Sequence, residues 1–176
     1  MRFRGKRRFI RFDGGGEQGA RSHFYANLIF NALYPKNSIR PVAVASMDVK
    51  GKEYWGVISN IVKGRSIDYK RYQRGFYSSK KPIAGDSKHA DAHKQFVAKV
   101  AVPVRYDILD KTGIELNDHF VNIAEAGGQP VFFEVHRINF SKLKEFVGTL
   151  PNEKRRSALF KLIAKLEFID SIQAGL

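Results

Sequence analysis

The centre of the chain carries two β-rich runs that flank a tight turn. Residues 39–49 and 53–62 are rich in Val, Ile and aromatic residues, and Lys50-Gly51 lies between them. Glycine supplies the positive φ that a short hairpin turn requires, so this pattern predicts an antiparallel β-hairpin. The first run has apolar residues at both even and odd positions, which predicts a strand in the interior of a sheet. The middle of the chain is therefore predicted to form an antiparallel sheet.

Helical spacing occupies both ends of the chain. Ser22 is a candidate N-cap for a helix whose apolar residues recur at i, i+3, i+4, i+7 and i+8 from Tyr25 to Leu33, and Pro35 would end it. From Asn139 onward the apolar period is again helical. The break at Leu150-Pro151 divides this region into two helices, which predicts an αα-hairpin.

More strand candidates lie between these helices. Residues 95–109 are β-rich but contain Pro103, which predicts an edge strand or a bulge. The runs 114–123 and 131–138 predict two further strands around a Gly-Gly-Gln-Pro turn at 127–130. Strands in the middle with helices at both ends predict an α+β fold, in which an antiparallel sheet built from central hairpins is covered by an N-terminal helix and a C-terminal αα-hairpin.

Length and glycine content set the predicted domain organisation. A chain of 176 residues and 20.0 kDa fits one domain. Residues 13–21 contain four Gly within positions 14–19, which is typical of a flexible loop. We therefore expect a basic N-terminal arm with a Gly-rich linker over 1–21, followed by a single globular α+β domain over 22–176.

The residue types that are missing exclude several classes of protein. The chain contains no Cys, which excludes disulfides, thiolate metal sites and cysteine nucleophiles, and favours the reducing cytoplasm. It has no apolar run long enough for a membrane span and no apolar segment after its basic N-terminus, so neither a membrane anchor nor a secretory signal is predicted. No cofactor-binding motif is recognisable either: the glycines lack the spacing of a nucleotide-binding loop.

The positive charge is concentrated in two short segments. The chain has a formal net charge of +14, and residues 1–11 carry six cations and no acid. Residues 63–81 carry seven cations and one acid. The two segments comprise thirty residues in total and hold twelve of the fourteen net charges. We call them the first and the second basic cluster. Such a footprint on a near-neutral body predicts a polyanionic partner.

Aromatic residues alternate with the cations in both clusters, which favours nucleic acid over a membrane or an acidic protein. Rings stack on bases while cations contact phosphates, and no helix shows the basic face of a major-groove reader. The sequence therefore predicts a non-enzymatic protein that binds single-stranded DNA or RNA. The predicted contact residues are Arg2, Arg4, Lys6, Arg7, Arg8, Arg11, Lys63, Arg65, Tyr69, Lys70, Arg71, Tyr72, Arg74, Phe76, Tyr77, Lys80 and Lys81. The same charge would also suit a basic structural component of a viral or ribonucleoprotein particle.

Two groups of side chains are candidates for catalysis or metal binding. His89 and His93 would lie one turn apart on a helix, but they have no evident third ligand, so exposed polar residues are expected. Glu134 and His136 are two residues apart on a predicted strand and would share a face as an acid–base pair. Because most charged residues are solvated rather than catalytic, we expect a surface pair beside Arg137. No catalytic and no metal-binding residue is therefore assigned.

One segment resembles a known family. The stretch from Ile39-Arg40-Pro41-Val42 through the Lys50-Gly51 turn to Ser59-Asn60 resembles the early hairpin of the RNA-processing toxins of type III toxin–antitoxin systems. The resemblance implies a cytoplasmic, metal-independent endoribonuclease controlled by an RNA antitoxin, with Ser59 and Lys63 at matching positions. This endoribonuclease is the alternative to a protein that only binds.

Overall fold

A computed structural model of the chain describes residues 2–3, 6–7, 9–13, 15–61, 91–117 and 123–175. The fold is α+β, as predicted, with an N-terminal helix and a C-terminal helix pair. Its elements in chain order are β1 (Arg2–Phe3), β2 (Lys6–Arg7), β3 (Phe9–Asp13), α1 (Gly16–Leu33), β4 (Pro41–Val49), β5 (Lys52–Ser59), α2 (Val102–Thr112), β6 (Ile114–Leu116), β7 (Ile123–Ala126), β8 (Gln129–Phe132), β9 (Val135–Ile138), α3 (Phe140–Gly148) and α4 (Glu153–Gln173). Residues 91–96 are helical, and a π-helical turn over Val97–Ala101 joins them to α2.

The predicted central hairpin is confirmed. β4 and β5 pair antiparallel, and both turn residues have left-handed backbone angles, with φ of 56° at Lys50 and 76° at Gly51. The sheet has the order β3-β5-β4, so the prediction that the first hairpin strand lies inside the sheet is wrong. β5 is the interior strand because β3, from the N-terminus, pairs with its other edge. Apolar residues on both faces of β4 reveal packing above and below the strand but not its hydrogen-bonded neighbours.

Glycine at position 56 permits the pairing of β3 with β5. The register runs from Phe9 opposite Ser59 to Asp13 opposite Trp55, and it places Phe12 opposite Gly56. A Cβ atom on Gly56 would lie 2.3 Å from the carbonyl oxygen of Arg11, far inside van der Waals contact. The two backbones therefore approach as closely as they do because this position has no side chain.

The predicted loop over residues 13–21 is wrong, because strand and helix occupy most of it. β3 reaches Asp13, and α1 begins at Gly16. Ser22 is consequently not an N-cap but an interior helix residue, and its hydroxyl donates a 2.7 Å hydrogen bond to Asp170 on α4. Gly19 and Ala20 are buried, so close packing of small residues offsets the low helix propensity of glycine. α1 therefore runs across the predicted boundary between arm and domain.

The predicted strand over residues 95–109 is also wrong, because this segment is helical. Val97, Ala101 and Ile108 are buried at spacings of four and seven residues, which is a helical period. Pro103 lies in the first turn of α2, directly after the π-helical turn, where the loss of a backbone N–H is tolerated best. Gly113 ends the helix with φ of 71°, and its N–H donates to the carbonyl of Leu109.

Two small antiparallel pairs complete the strands of the described residues. β7 and β8 form a hairpin whose turn, Gly127-Gly128, has positive φ at both residues, as the Gly-Gly-Gln-Pro motif predicts. β6 pairs with β9 instead of continuing into β7. The predicted strand over 114–123 therefore contains β6 and the first residue of β7, and residues 118–122 lie outside the described residues. The predicted strand over 131–138 is divided between β8 and β9.

One hydrophobic core joins the helices to these small sheets. Phe30 of α1, Ile108 of α2, Phe132 of β8, Leu143 of α3 and Ile163 of α4 belong to this core, and each is at most 1% exposed. Truncating such a side chain to Ala commonly costs about 2–5 kcal/mol. α1 contacts both α4 and the strands β4 and β5, so this helix connects the core to the three-stranded sheet.

The predicted C-terminal αα-hairpin is confirmed, and asparagine begins each of its helices. The Asn139 side chain accepts a hydrogen bond from the backbone N–H of Lys142 at the start of α3. The Asn152 side chain accepts one from the backbone N–H of Arg155 at the start of α4. Each bond satisfies a donor that the first helical turn leaves unpaired, so the hairpin has well-defined ends.

The close approach at Gly56 predicts the effect of adding one methyl group. Gly56→Ala should lower the free energy of unfolding by about 2–3 kcal/mol, because the Cβ atom cannot fit without displacing the backbone of β3. Gly148→Ala is the matched control, since a Cβ atom there meets nothing within 4 Å and alanine favours a helix. Urea unfolding of both variants measures the difference. Equal stabilities would contradict the packing argument.

Candidate nucleic-acid interface

The pairing of β3 with β5 attaches both basic clusters to the same end of the sheet. β3 begins at Phe9, directly after Arg8, and Phe9 lies opposite Ser59, the last residue of β5. Ser59 is four residues before Lys63, the first cation of the second cluster. Paired Cα atoms of antiparallel strands are about 5 Å apart. The first cluster therefore leads into the sheet at Phe9, and the second cluster follows the sheet after Ser59, the residue paired with Phe9.

Part of the first basic cluster forms a short antiparallel ribbon. Arg2 of β1 lies opposite Arg7 of β2, and Phe3 lies opposite Lys6. The backbone of these cations is thus folded back on itself just before the sheet begins. Arg4 and Arg8 lie outside the described residues.

The whole second basic cluster lies outside the described residues. This applies to Lys63, Arg65, Tyr69, Lys70, Arg71, Tyr72, Arg74, Phe76, Tyr77, Lys80 and Lys81. Their assignment to nucleic-acid contact stays a prediction from charge and composition.

Arg11, the one cation of the two clusters whose side chain the structure describes, is paired within the protein. Its guanidinium lies 2.6 Å from the Glu134 carboxylate, which also accepts a 2.9 Å hydrogen bond from the Asn117 amide. Glu134 is only 7% exposed, so Arg11 supplies the charge that balances a buried carboxylate. A nucleic-acid phosphate would have to compete with Glu134 for this guanidinium. The ion pair also connects β3 to the loop between β8 and β9.

The predicted acid–base pair does not share a face. Glu134 lies in the break between β8 and β9 and is buried, whereas His136 on β9 is exposed. The two-residue period does not hold across this break, so the expected common face is wrong, and so is the expected surface position of Glu134. The contacts of Glu134 with Arg11 and Asn117 give it a structural role.

The predicted exposure of the histidine pair is wrong for His93. This residue is 3% exposed, and its ring centroid lies 6.1 Å from that of Phe96. His89 lies outside the described residues. Among the residues that the structure describes, no group of three or more His, Asp or Glu side chains is placed to hold a metal ion.

Two shifted pKa values occur together near the end of α1. Burial, followed by the charge of Asp107, raises the pKa of Tyr34. A hydrogen bond to Asp107 and the charge of that carboxylate raise the pKa of Lys111. Both shifts favour the protonated side chain, which is the opposite of what a tyrosine or lysine base requires. Neither shift therefore favours Tyr34 or Lys111 as a base.

Sequence reasoning missed three residues that the structure brings to the sheet. Arg40 is exposed at the start of β4, and its carbonyl accepts a hydrogen bond from the N–H of Asn60, at the end where the clusters attach. On β5, Tyr54 is partly exposed beside Lys52. The sequence held a signal for Lys52 and Tyr54, because alternate residues of a strand share one face of the sheet. This alternation puts Lys52 and Tyr54 on one face and Glu53 on the other.

Several cations of α4 contact the protein itself. The guanidinium of Arg155 donates to the carbonyl of Ala32, and that of Arg156 donates to the carbonyl of Leu150. The ammonium of Lys165 lies 5.0 Å from the centre of the Tyr25 ring. These contacts hold α4 against its neighbours.

The segment that resembles the toxin hairpin is folded as a hairpin, with Ser59 at its end. Ser59 is partly buried and lies opposite both Phe9 and Pro41. Lys63 lies outside the described residues. Of the two positions that match the toxin family, the structure therefore describes Ser59 alone.

Comparison of the chain with protein-family models, with curated proteins and with solved structures found no match. In the described part of the chain, none of the helices combines the length and the apolar character needed to cross a membrane. The functional interpretation consequently depends on the charge, the sheet and its exposed side chains.

The Arg11–Glu134 ion pair predicts a stability effect for one cation of the first cluster. Arg11→Met should lower the free energy of unfolding by about 1.5–3 kcal/mol, because it leaves a buried carboxylate without its charged partner. Adding Glu134→Gln should recover part of this loss, which a double-mutant cycle by urea unfolding measures. Arg21→Met is the control, since its ion pair with Glu17 is exposed and worth less than about 0.5 kcal/mol. Additive effects of the first two changes would contradict the coupling.

Proposed function

We propose that this protein binds single-stranded DNA or RNA through the two basic clusters. The observation that carries the proposal is the antiparallel register that sets Phe9 opposite Ser59, because the two clusters adjoin these positions. Two segments of net charge +6 each, attached at one end of a sheet, form a single site for a polyanion more readily than two distant segments would. Exposed Arg40 adds a further cation at this end.

The contacts of the helices favour single strands over duplex as the ligand. A major-groove reader presents polar and basic side chains from one exposed helix face. In α4, by contrast, Arg155, Arg156 and Lys165 contact the protein, and Phe160 and Phe168 are exposed beside the two exposed cations Lys154 and Lys161. A single strand is bound by rings that stack on its bases and by cations that contact its phosphates. The sheet and the two clusters contain both kinds of side chain. A cytoplasmic location, which the lack of cysteine favours, belongs to the same proposal.

Salt dependence tests the proposal directly. Each phosphate contact on a single strand contributes about −0.7 to the slope of log affinity against log salt, so four to eight contacts give a slope of roughly −3 to −6. Replacing Arg2, Lys6 and Arg7 together with Gln should make the slope shallower by about 2. Fluorescence anisotropy with labelled single-stranded oligonucleotides over a salt series provides the measurement.

A charge-matched control separates a local site from net charge. Lys99, Lys154 and Lys161 are exposed on other elements, and replacing them with Gln removes the same three charges. This second triple variant should keep a slope within about 0.5 of the unchanged protein. A slope near zero for the unchanged protein would overturn the proposal, and equal slopes for the two variants would overturn the location of the site.

Incubation with RNA distinguishes binding from the endoribonuclease alternative. If the protein only binds, RNA recovered after long incubation should be full length, with or without Ser59→Ala. Cleavage that persists through purification and disappears in Ser59→Ala would instead support the activity that the toxin resemblance implies. Denaturing gels of the recovered RNA give the result, and thermal unfolding of the variant verifies its fold.

A structural particle component uses the same charges but differs in stoichiometry. Such a protein would coat long nucleic acid in proportion to its length, whereas a discrete site saturates at a fixed ratio on a short strand. Titration of short and long single strands separates the two roles.

A further inference from the structure

Two rings on adjacent strands form an exposed aromatic pair. Phe12 on β3 is 42% exposed and Tyr54 on β5 is 37% exposed, and their centroids lie 6.0 Å apart in an edge-to-face arrangement. The ammonium of Lys52 lies 5.4 Å from the centre of the Tyr54 ring. A large apolar side chain that stays this exposed beside a cation is a candidate contact for a planar ligand.

The pair lies on a sheet face from which the neighbouring acids are directed away. Phe12 lies opposite Gly56, and Tyr54 lies opposite Met47, so these positions share one face of the sheet. Asp48 and Glu53 lie opposite each other at the next position, and their side chains therefore belong to the other face. The aromatic face thus presents Lys52 without an adjacent carboxylate from this hairpin, which suits a ligand that is both planar and anionic.

The strands that carry the rings also connect them to the basic clusters. Phe12 is three residues after Phe9 along β3, and Tyr54 is five residues before Ser59 along β5. At about 3.3 Å per residue, the rings lie roughly 10–17 Å from the end of the sheet where both clusters attach. A strand that contacts phosphates at that end can reach the rings along one sheet.

We propose that Phe12 and Tyr54 form a base-stacking subsite for an unpaired nucleotide, with Lys52 contacting the adjacent phosphate. This inference rests on the proposed function and names the residues that would bind a base. An exposed ring can stack on any base, so the subsite recognises single strands without reading their sequence. The rings and the cation lie on strands of the sheet, which positions them more firmly than a loop would.

A purely structural role for the pair makes a different prediction. Cross-strand aromatic contacts stabilise sheets, and Phe12 and Tyr54 form such a contact between β3 and β5. On that account, loss of the Tyr54 ring changes stability and leaves affinity for nucleic acid unaltered. Stability and affinity must therefore be measured on the same variant.

The test compares oligothymidylate with an abasic strand of equal length, which carries the phosphates without the bases. The unchanged protein should bind oligothymidylate more tightly than the abasic strand. Tyr54→Leu should weaken binding of oligothymidylate by about 5- to 150-fold, the range for one lost stacked base, and leave binding of the abasic strand unchanged. The salt slope should also stay the same, since no phosphate contact is lost. Anisotropy titrations at fixed salt give the affinities.

Tyr106→Leu is the matched control for this change. Tyr106 on α2 is 57% exposed and lies beside Arg105, whose guanidinium carbon is 5.4 Å from the ring centre. The same exchange in a similar ring–cation pair on another element should leave both affinities unchanged. Equal losses for Tyr54→Leu and Tyr106→Leu would overturn the assignment of the subsite.

A second measurement keeps the inference testable if Tyr54→Leu does not fold. Photo-cross-linking of the unchanged protein to 5-bromouracil oligonucleotides, followed by peptide mass spectrometry, should identify Phe12 or Tyr54. Cross-links confined to other residues, or equal affinity for base-bearing and abasic strands, would overturn the subsite while the charge-based proposal stands. Failure to bind any of these oligonucleotides would overturn the proposed function and this inference with it.

Discussion

The close backbone approach at Gly56 determines how the N-terminal part of the chain joins the body. Without a side chain at this position, β3 pairs with β5 along its whole length, and the carbonyl of Arg11 occupies the space that a Cβ atom would take. That pairing makes β5 an interior strand and brings the start of β3 beside the end of β5. Backbone hydrogen bonds of the sheet therefore hold together the two positions, Phe9 and Ser59, that adjoin the basic clusters in the sequence.

The cations of this protein fall into two groups with different roles. Several contact the folded body, as the contacts of Arg11 with Glu134 and of Arg155 with Ala32 illustrate. Their charges or donors are satisfied within the fold, where they stabilise packing. The two clusters supply most of the excess charge, and Arg11 belongs to both groups, because it is the last cation of the first cluster and also balances the buried Glu134. A test of the proposed binding therefore changes Arg2, Lys6 and Arg7 and leaves Arg11 in place.

The sequence predicts elements whose signal is local and fails where distant residues decide. The Lys50-Gly51 turn and the end of α1 before Pro35 follow from backbone preferences of the residues themselves. Residues 95–109 form a helix because Val97, Ala101 and Ile108 meet the core, which overrides the β preference of valine and isoleucine. At the site, clustered charge was visible in the sequence, whereas the Arg11–Glu134 pair joins residues 123 positions apart that no local pattern links.

In the described part of the chain β4 is an outer strand of the sheet, and its start discourages further strand pairing. Pro41 has no backbone N–H to donate, and the register shift between Pro41 and Ala43 makes Val42 a bulge. Both features interrupt the row of hydrogen-bonding groups that an edge strand offers to another chain. A sheet that ends this way resists edge-to-edge association between copies. Under the proposed function this resistance has a consequence. A polyanion would gather copies of the protein at high local concentration and neutralise the repulsion between them, so an open strand edge would favour aggregation.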